Sequence, residues 1–365
     1  MKTPAAWRRN RPMWVRNAWY VAAWSHEVAD DGLLARTIMN EPLVLYRTGG
    51  GTVVAMEDRC CHRLAPLSLG RREGDDLRCM YHGLKFGPDG RCNEIPGQTT
   101  IPARAVVRGY PVVERGSWIW VWMGEAARAD VSQIPETIAA SDPDWNIGMG
   151  CLDYAANYQL INDNLLDLSH LAFVHENTLG RGTPQWATEQ PIRARLDRGV
   201  RFQRWFRGRG PSHYFGKPGE RYDMWHSYDF LVPGLFIQRP AWYPLGTAKR
   251  CDGKAPAEEP LFVRCDDQAV IPVTDRSSRY FYSAGGRSKD ASLELAGEIF
   301  RFTEVAFHED KVIIEAQQKV IDQDPGRQML SLSMDGGPNL FRGIVRELIA
   351  AETSIGGGAE AARAG

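Results

Sequence analysis

No stretch of eighteen apolar residues occurs anywhere in the 365-residue chain, which argues against a membrane-spanning helix. Neither sign of charge dominates, with 44 Lys and Arg against 45 Asp and Glu, so there is no electrostatic case for a nucleic-acid partner. No internal repeat is present. The glycine run Gly49-Gly50-Gly51 lacks the G-x-G-x-x-G pattern, and no nicotinamide or flavin site is visible, so electrons handled by this chain come from elsewhere. Arg8-Arg9-Asn10-Arg11 has the look of a twin-arginine signal, but no apolar region follows it. Seven cysteines make an odd count, and Cys61, Cys92, Cys151, Cys251 and Cys265 show no paired spacing of a disulfide framework. These absences predict a soluble, cytoplasmic protein, long enough for two domains.

Two short ligand-like spacings are present. Cys60-Cys61-His62 is followed, after residues 63–78, by Cys79-Met80-Tyr81-His82. Each sets a thiolate and an imidazole on one tight loop. Such a set suits either a structural zinc or a Rieske [2Fe–2S] cluster, in which two histidines replace two cysteines on one iron. The second loop continues Gly83-Leu84-Lys85-Phe86-Gly87-Pro88-Asp89-Gly90, where Gly83 permits a sharp turn and Pro88-Asp89-Gly90 suits a hairpin. This stretch resembles the Rieske signature C-x-H followed by C-x-x-H-G, with an aromatic residue and a Gly turn behind it. The resemblance implies that Cys60 and Cys79 hold the buried iron and His62 and His82 the outer one. Cys61 departs from the family, which usually has Pro there, and would be an unpaired, oxidation-sensitive thiol if exposed.

Short β-rich runs separated by Gly and Pro turns fill the first third of the chain, including Ala18–Trp24, Val53–Met56 and Ser117–Trp122. The alternating Trp118, Trp120 and Trp122 predict one core face of a strand. Polar, proline-bearing sequence from Glu125 to Asp144 marks the domain junction. A helical stretch is expected from Tyr154 to His175, then strands at Tyr222–Leu231, Leu235–Arg239, Leu261–Ile271 and Ser278–Ala284. Long helices are expected at about Leu293–Ile321 and Leu340–Glu352, with a Gly/Ala-rich disordered tail at 356–365.

Within the first helical stretch, Asn164, Asp167 and His170 are spaced three apart and share a helix face. His175, five residues beyond His170, falls about 140° away on an ideal helix. Both histidines reach one metal only where the helix is distorted or ends. For a third ligand, the helix through Glu304–Gln317 offers an apolar face of Ala306, Ile313, Ile314, Gln317 and Val320 that contains both Glu309 and Asp310. A carboxylate there needs a partner or a metal. Glu304 and Glu315 fall on the opposite, polar face. Periodicity does not separate Glu309 from Asp310.

The run Asn164-Leu165-Leu166-Asp167-Leu168-Ser169-His170 and onward to His175 matches the D/N-x₂-D-x₂-H-x₄-H motif of Rieske non-haem iron oxygenases. Further similarity to the vanillate O-demethylase and dicamba monooxygenase-like subgroup lies in Arg16–Ala22, Ala65–Gly70 and Met334–Gly337. The resemblance implies an α+β chain: an all-β Rieske domain (1–135), then a helix-flanked antiparallel-sheet catalytic domain (136–355) with mononuclear Fe(II) on His170, His175 and Asp310. It assigns Asp310 over Glu309 because the subgroup carries this Glu-Asp pair with Asp as ligand. It gives Asn164 and Asp167 catalytic positions, with Asp167 linking the two metal centres. The same resemblance implies a homotrimer fed by an NADH-dependent reductase, possibly with a ferredoxin. The activity expected is monooxygenation, chiefly oxidative O- or N-demethylation, of a substituted aromatic acid or amide. Ring cis-dihydroxylation uses the same metal sites, and a Rieske electron carrier without oxygenase activity is the alternative from another class. His213, Trp225, His226, Arg239 and Trp242 are the candidate pocket residues.

Overall fold

The computed structural model describes residues 14–180 and 184–361, with side chains through residue 354. The Arg8–Arg11 segment and residues 362–365 of the expected tail lie outside the described residues. The described chain divides into two compact units, residues 16–139 with 271–275, and residues 140–270 with 276 onward.

The first unit is all-β. Its strands are β1 (Trp19–Trp24), β2 (Leu34–Ile38), β3 (Glu41–Arg47), β4 (Val53–Glu57), β5 (Arg71–Glu73), β6 (Asp76–Arg78), β7 (Lys85–Phe86), β8 (Cys92–Glu94), β9 (Gly109–Tyr110), β10 (Val112–Arg115) and β11 (Trp118–Trp122). They form three antiparallel sheets in the orders β1-β11-β10, β2-β3-β4-β9 and β5-β6-β7-β8. The tryptophans of β11 lie on one core face, as expected, and the opposite face of the strand is buried too. All five of its residues are buried, because the strand is the middle one of its sheet and Ile119 and Val121 are covered as well. A separate core gathers Tyr46, Leu67, Leu77 and Phe86 around Cys60 and Cys79.

The second unit is built on an eight-stranded antiparallel sheet. It contains β12 (Trp145–Tyr154), β13 (Ile192–Leu196), β14 (Gly199–Arg209), β15 (Tyr222–Leu231), β16 (Leu235–Gln238), β17 (Ala241–Pro244), β18 (Phe262–Thr274) and β19 (Ser277–Arg287). The order is β12-β19-β18-β16-β15-β14-β13, with β17 pairing β15 and β18. Among the described residues five α-helices accompany it: α1 (Tyr158–Leu166), α2 (Gln185–Thr188), α3 (Thr247–Arg250), α4 (Leu293–Gln323) and α5 (Gly336–Ala361). None of the described helices is long and apolar enough to cross a membrane. An all-β unit followed by a helix-flanked antiparallel sheet is the α+β class that the sequence predicts.

Two local differences have clear causes. Tyr154 ends a strand rather than starting a helix, and α1 begins only after the Asn157 side chain accepts the Gln159 N–H. Helix α4 packs on β12 and β19 through Ile299, Thr303, Ala306, Asp310, Ile314 and Gln318. That face is rotated from the expected one, and Ile313 and Val320 stay 53% and 64% exposed. One residue of helix is about 100° of rotation, so the sheet, not the composition, selects which flank is buried. Helix α5 starts earlier than expected and runs into the 356–361 segment.

Candidate metal centres and substrate cavity

The two Cys-His loops share one backbone design. In the first, after β4, the Leu64 N–H donates to Cys60 O at 2.9 Å and the Cys60 N–H to Ala65 O at 2.8 Å. In the second, between β6 and β7, Gly83 N–H donates to Cys79 O at 2.9 Å and Cys79 N–H to Leu84 O at 2.8 Å. The fifth residue of each loop is left-handed, Leu64 at φ 58° and Gly83 at φ 78°. Glycine takes that conformation freely; leucine does so at a cost that the loop offsets. Arg78 braces the second loop by donating to Gly83 O at 2.7 Å, while Glu73 and Glu94 hold its guanidinium.

This backbone buries Cys60 and Cys79 and leaves His62 and His82 at the surface, their ring centroids 4.5 Å apart. Burial pushes the Cys60 thiol up to about 12, so a thiolate there needs a cation beside it. Among the described residues, only His170, His175 and Asp310 bring three ligand atoms within 4.8 Å of one another. Two buried cysteines and two exposed histidines on paired loops are the donor set of a Rieske [2Fe–2S] cluster.

The second group depends on a broken helix. Helix α1 stops at Leu166, and Asp167, with φ −126° and ψ 96°, opens a 3₁₀ turn over Leu168–Ala172. The Asp167 carboxylate caps that turn by accepting the Ser169 N–H at 3.0 Å. The His170 ring is held by the backbone instead: Nδ1 lies 2.7 Å from Asp167 O, a contact that requires the proton on Nδ1. The bond to His170 is therefore made by the Asp167 backbone and not by its carboxylate. The chain then turns tightly, with Thr178 and Gly180 N–H groups on His175 O at 3.0 and 2.9 Å. A Cβ on Gly180 would sit 1.6 Å from Leu171 O, so no other residue fits this turn undistorted.

His175 is 1% exposed and directs Nδ1 to Glu309 Oε2 at 2.7 Å. Both imidazoles thus spend Nδ1 on an acceptor and leave Nε2 bare. The two Nε2 atoms face one oxygen, Asp310 Oδ1, at 3.4 and 3.2 Å. Asn164 donates to the same oxygen at 3.0 Å and stands 3.3 Å from His170 Nε2. Three acceptor atoms converging in a buried place suit a cation. One carboxylate with two imidazoles is the donor set of a facial-triad iron.

A cavity of about 600 Å³ opens from this group. Its walls carry the aromatic side chains Trp186, Tyr214, Phe236, Trp242, Phe302 and Phe307. One wall is a polar relay. Arg264 donates to Asp266 Oδ1 at 2.5 Å, and Gln238 Nε2 donates to Asp266 Oδ2 at 2.9 Å. Since a carboxylate only accepts, the Gln238 oxygen faces His226, whose Nε2 lies 2.9 Å away and carries the proton. Burial and the nearby Arg204 push His226 well below the ordinary histidine range, so it stays neutral. Outside the triad, the described lining carries two guanidinium groups, Arg209 and Arg264, against one carboxylate, Asp266.

The description of the Rieske [2Fe-2S] domain matches residues 18–111, and that of the vanillate O-demethylase oxygenase C-terminal domain matches residues 154–351. The chain belongs to the vanillate O-demethylase-like Rieske oxygenases. It is 41% identical to a toluene-4-sulfonate monooxygenase system iron-sulfur subunit of Comamonas testosteroni, covering 93% of this chain and 98% of that one. It is 33% identical to the dicamba O-demethylase oxygenase component of Stenotrophomonas maltophilia, over 84% of this chain and 88% of that one. The crystal structure of dicamba monooxygenase bound to dicamba superposes with a TM-score of 0.82 at 31% identity, covering 94% of this chain and 100% of that chain.

As a member of this family the protein is the oxygenase component of a multi-component monooxygenase, with a [2Fe–2S] cluster, a mononuclear iron, a reductase partner and an aromatic substrate. The electron-carrier reading does not survive, and the relatives, named as demethylases and monooxygenases, do not favour ring dihydroxylation.

Of the pocket residues expected in this oxygenase, His213, His226 and Trp242 line the cavity. Trp225 and Arg239 do not. On β15, Met224 and His226 face the cavity and Trp225 points to the other side, where it packs with Trp205 and Tyr243. Arg239 follows the cavity-facing Gln238 and pairs with Asp267 at 2.5 Å. Sequence reasoning missed Thr178, Arg209, Gln238, Arg264 and Asp266. The alternation Arg264-x-Asp266-x-Gln268 was the available signal, since three polar residues on one strand face call for a shared surface. Glu304 and Glu315 are not simply solvated; they accept from Tyr282 Oη at 3.2 Å and from the Ala155 N–H at 2.8 Å.

Proposed function

We propose that the oxygenase hydroxylates a methyl group on an aromatic acid, and that where the methyl is carried by oxygen or nitrogen the product breaks down with loss of formaldehyde. In this reading Cys60 and Cys79 hold one iron of the cluster, His62 and His82 the other, and His170, His175 and Asp310 hold the mononuclear Fe(II). When bound, the cluster supplies electrons and the mononuclear iron activates O₂. The chain's own contribution is positional. Asp167 O and Glu309 keep the protons of the two imidazoles on Nδ1, and Asn164 steadies Asp310.

The observation that supports the substrate class is a cavity ending at the triad whose lining combines aromatic side chains with two guanidinium groups, Arg209 and Arg264. Aromatic side chains accept a ring, and guanidinium groups in the lining suit a carboxylate or sulfonate. A relative named for toluene-4-sulfonate and another named for dicamba support an anionic aromatic substrate. The reductase is read as NADH-dependent, with a ferredoxin as an optional intermediate, and the protein as cytoplasmic. A homotrimer is read from the family resemblance. The exposed Val312 and Val320 of α4, at 68% and 64%, offer apolar surface for a neighbouring copy.

Reconstitution with a reductase tests this reading. Toluene-4-sulfonate, 4-methylbenzoate and methoxybenzoates are assayed for substrate-dependent O₂ consumption, with the product weighed by mass spectrometry. A product heavier by one oxygen or lighter by CH₂ is expected. A product carrying two new hydroxyl groups on the ring, or no coupled O₂ uptake with any anionic aromatic, overturns it.

A further inference from the structure

Thr178 borders the cavity, yet its hydroxyl is already committed. It donates to Glu309 Oε2 at 2.6 Å, the same oxygen that accepts from His175 Nδ1 at 2.7 Å. The backbone closes the ring, since the Thr178 N–H donates to His175 O at 3.0 Å. His175 and Thr178 are 1% and 8% exposed, whereas the Glu309 side chain is 31% exposed. A glutamate at the rim of a buried site has several rotamers open to it, and one hydrogen bond holds it loosely. Two donors on one carboxylate oxygen select a single rotamer.

We propose that Thr178 is a positioning residue for the iron site, acting through Glu309 on the imidazole of His175. Glu309 is then not a spare metal ligand beside Asp310. It is the acceptor that keeps His175 protonated on Nδ1 and directs Nε2 inward, and Thr178 keeps Glu309 in place. The hydroxyl of Thr178, although at the cavity wall, does not serve the substrate. This inference rests on the ligand role proposed above for His175.

The test uses cluster-loaded protein stripped of mononuclear iron and titrated with Fe(II) against a chromophoric chelator. Electron paramagnetic resonance with nitric oxide as probe, taken with the cluster oxidised and silent, reports the symmetry of the iron site. Glu309→Leu is expected to weaken Fe(II) binding about 10- to 100-fold. Thr178→Val is expected to weaken it several-fold, to change the resonance line shape and to lower kcat with KM for the aromatic substrate unchanged. Thr178→Ser restores all three.

Thr178→Val in the Glu309→Leu background adds no further loss, because the path is already cut. Additive losses in the double variant overturn the proposal. So does a Thr178→Val protein that matches the parent in affinity and line shape, or a Thr178→Ser protein as impaired as the valine variant. His175→Ala with undiminished Fe(II) affinity would instead overturn the ligand assignment itself. That failure is distinguishable because it appears without any change at Thr178.

Discussion

Asn164 donates its amide to Asp310 Oδ1 at 3.0 Å, joining the last turn of α1 to the middle of α4 across 146 residues of chain. The contact steadies a carboxylate that is otherwise surrounded by acceptors. Asn164→Ala is expected to lower turnover about 10- to 100-fold and to loosen the iron, with the cluster spectrum intact. Iron content per cluster and product formation, measured together, check this. A variant with full turnover would show that Asp310 is held adequately by the metal alone.

Asp310→Ala is expected to abolish turnover, because both bare Nε2 atoms face Oδ1 of this residue and no other carboxylate among the described residues shares that place. The visible spectrum of the cluster should not change. Iron analysis before and after gel filtration reads the outcome, and retention of tightly bound mononuclear iron in this variant contradicts the assignment.

Purified protein should be red-brown and carry two labile sulfides per chain from a cluster on the two Cys-His loops. His62→Cys is expected to keep a cluster, at lower potential, because thiolate donates more electron density than imidazole. Protein-film voltammetry measures the shift. Colourless protein with stoichiometric zinc after anaerobic preparation would refute the cluster ligands.

Asp167→Asn separates structure from coupling. Asparagine caps a helix as well as aspartate does, so the bond to the Ser169 N–H survives, and the backbone oxygen that holds His170 is untouched. Both metals are expected to remain while most turnover is lost, since the amide cannot balance charge as a cluster histidine changes protonation. Stopped-flow reoxidation of the reduced cluster by O₂ with substrate present is the measurement. An unchanged rate means that electrons do not pass this residue.

His226 sets a pH dependence. It is kept neutral by burial and by Arg204, with Arg209 and Arg264 adding to the effect and the Gln238 bond opposing it. Its folded pKa lies well below the value of about 6.5 expected on unfolding, so below that pH the unfolded chain binds more protons. Stability from this group is full above about pH 6.5 and falls as the pH drops, by up to about 1.4 kcal/mol per pH unit. His226→Phe is expected to flatten that part of the curve of denaturation midpoint against pH. An identical slope in the variant removes His226 as the cause.

The chemistry was legible wherever ligands lie close together in the chain. Cys60 with His62, Cys79 with His82, and His170 with His175 are each separated by five residues or fewer, so each pair could be read from the chain as candidate ligands. The need for a break between α1 and His175 was also readable, because a regular helix would turn the second histidine about 140° away. Strand runs bounded by Gly and Pro and a long helix over about 293–321 were also readable, and the family resemblance joined them into the α+β class.

Tertiary structure decided what sequence periodicity left open. Glu309 and Asp310 are neighbours on one helix, and the rotation of α4 on its sheet put Asp310 against both imidazoles and Glu309 behind His175. The same packing exposed Ile313 and Val320, which hydrophobicity alone assigned to the core. Alternation along β15 separated His226 from Trp225, and the register of β16 against β18 set Gln238 beside Asp266. Local pattern determines which residues share a face of their own element. Which face meets a cavity is set by contacts between segments far apart in the chain, and no short window of sequence contains both partners.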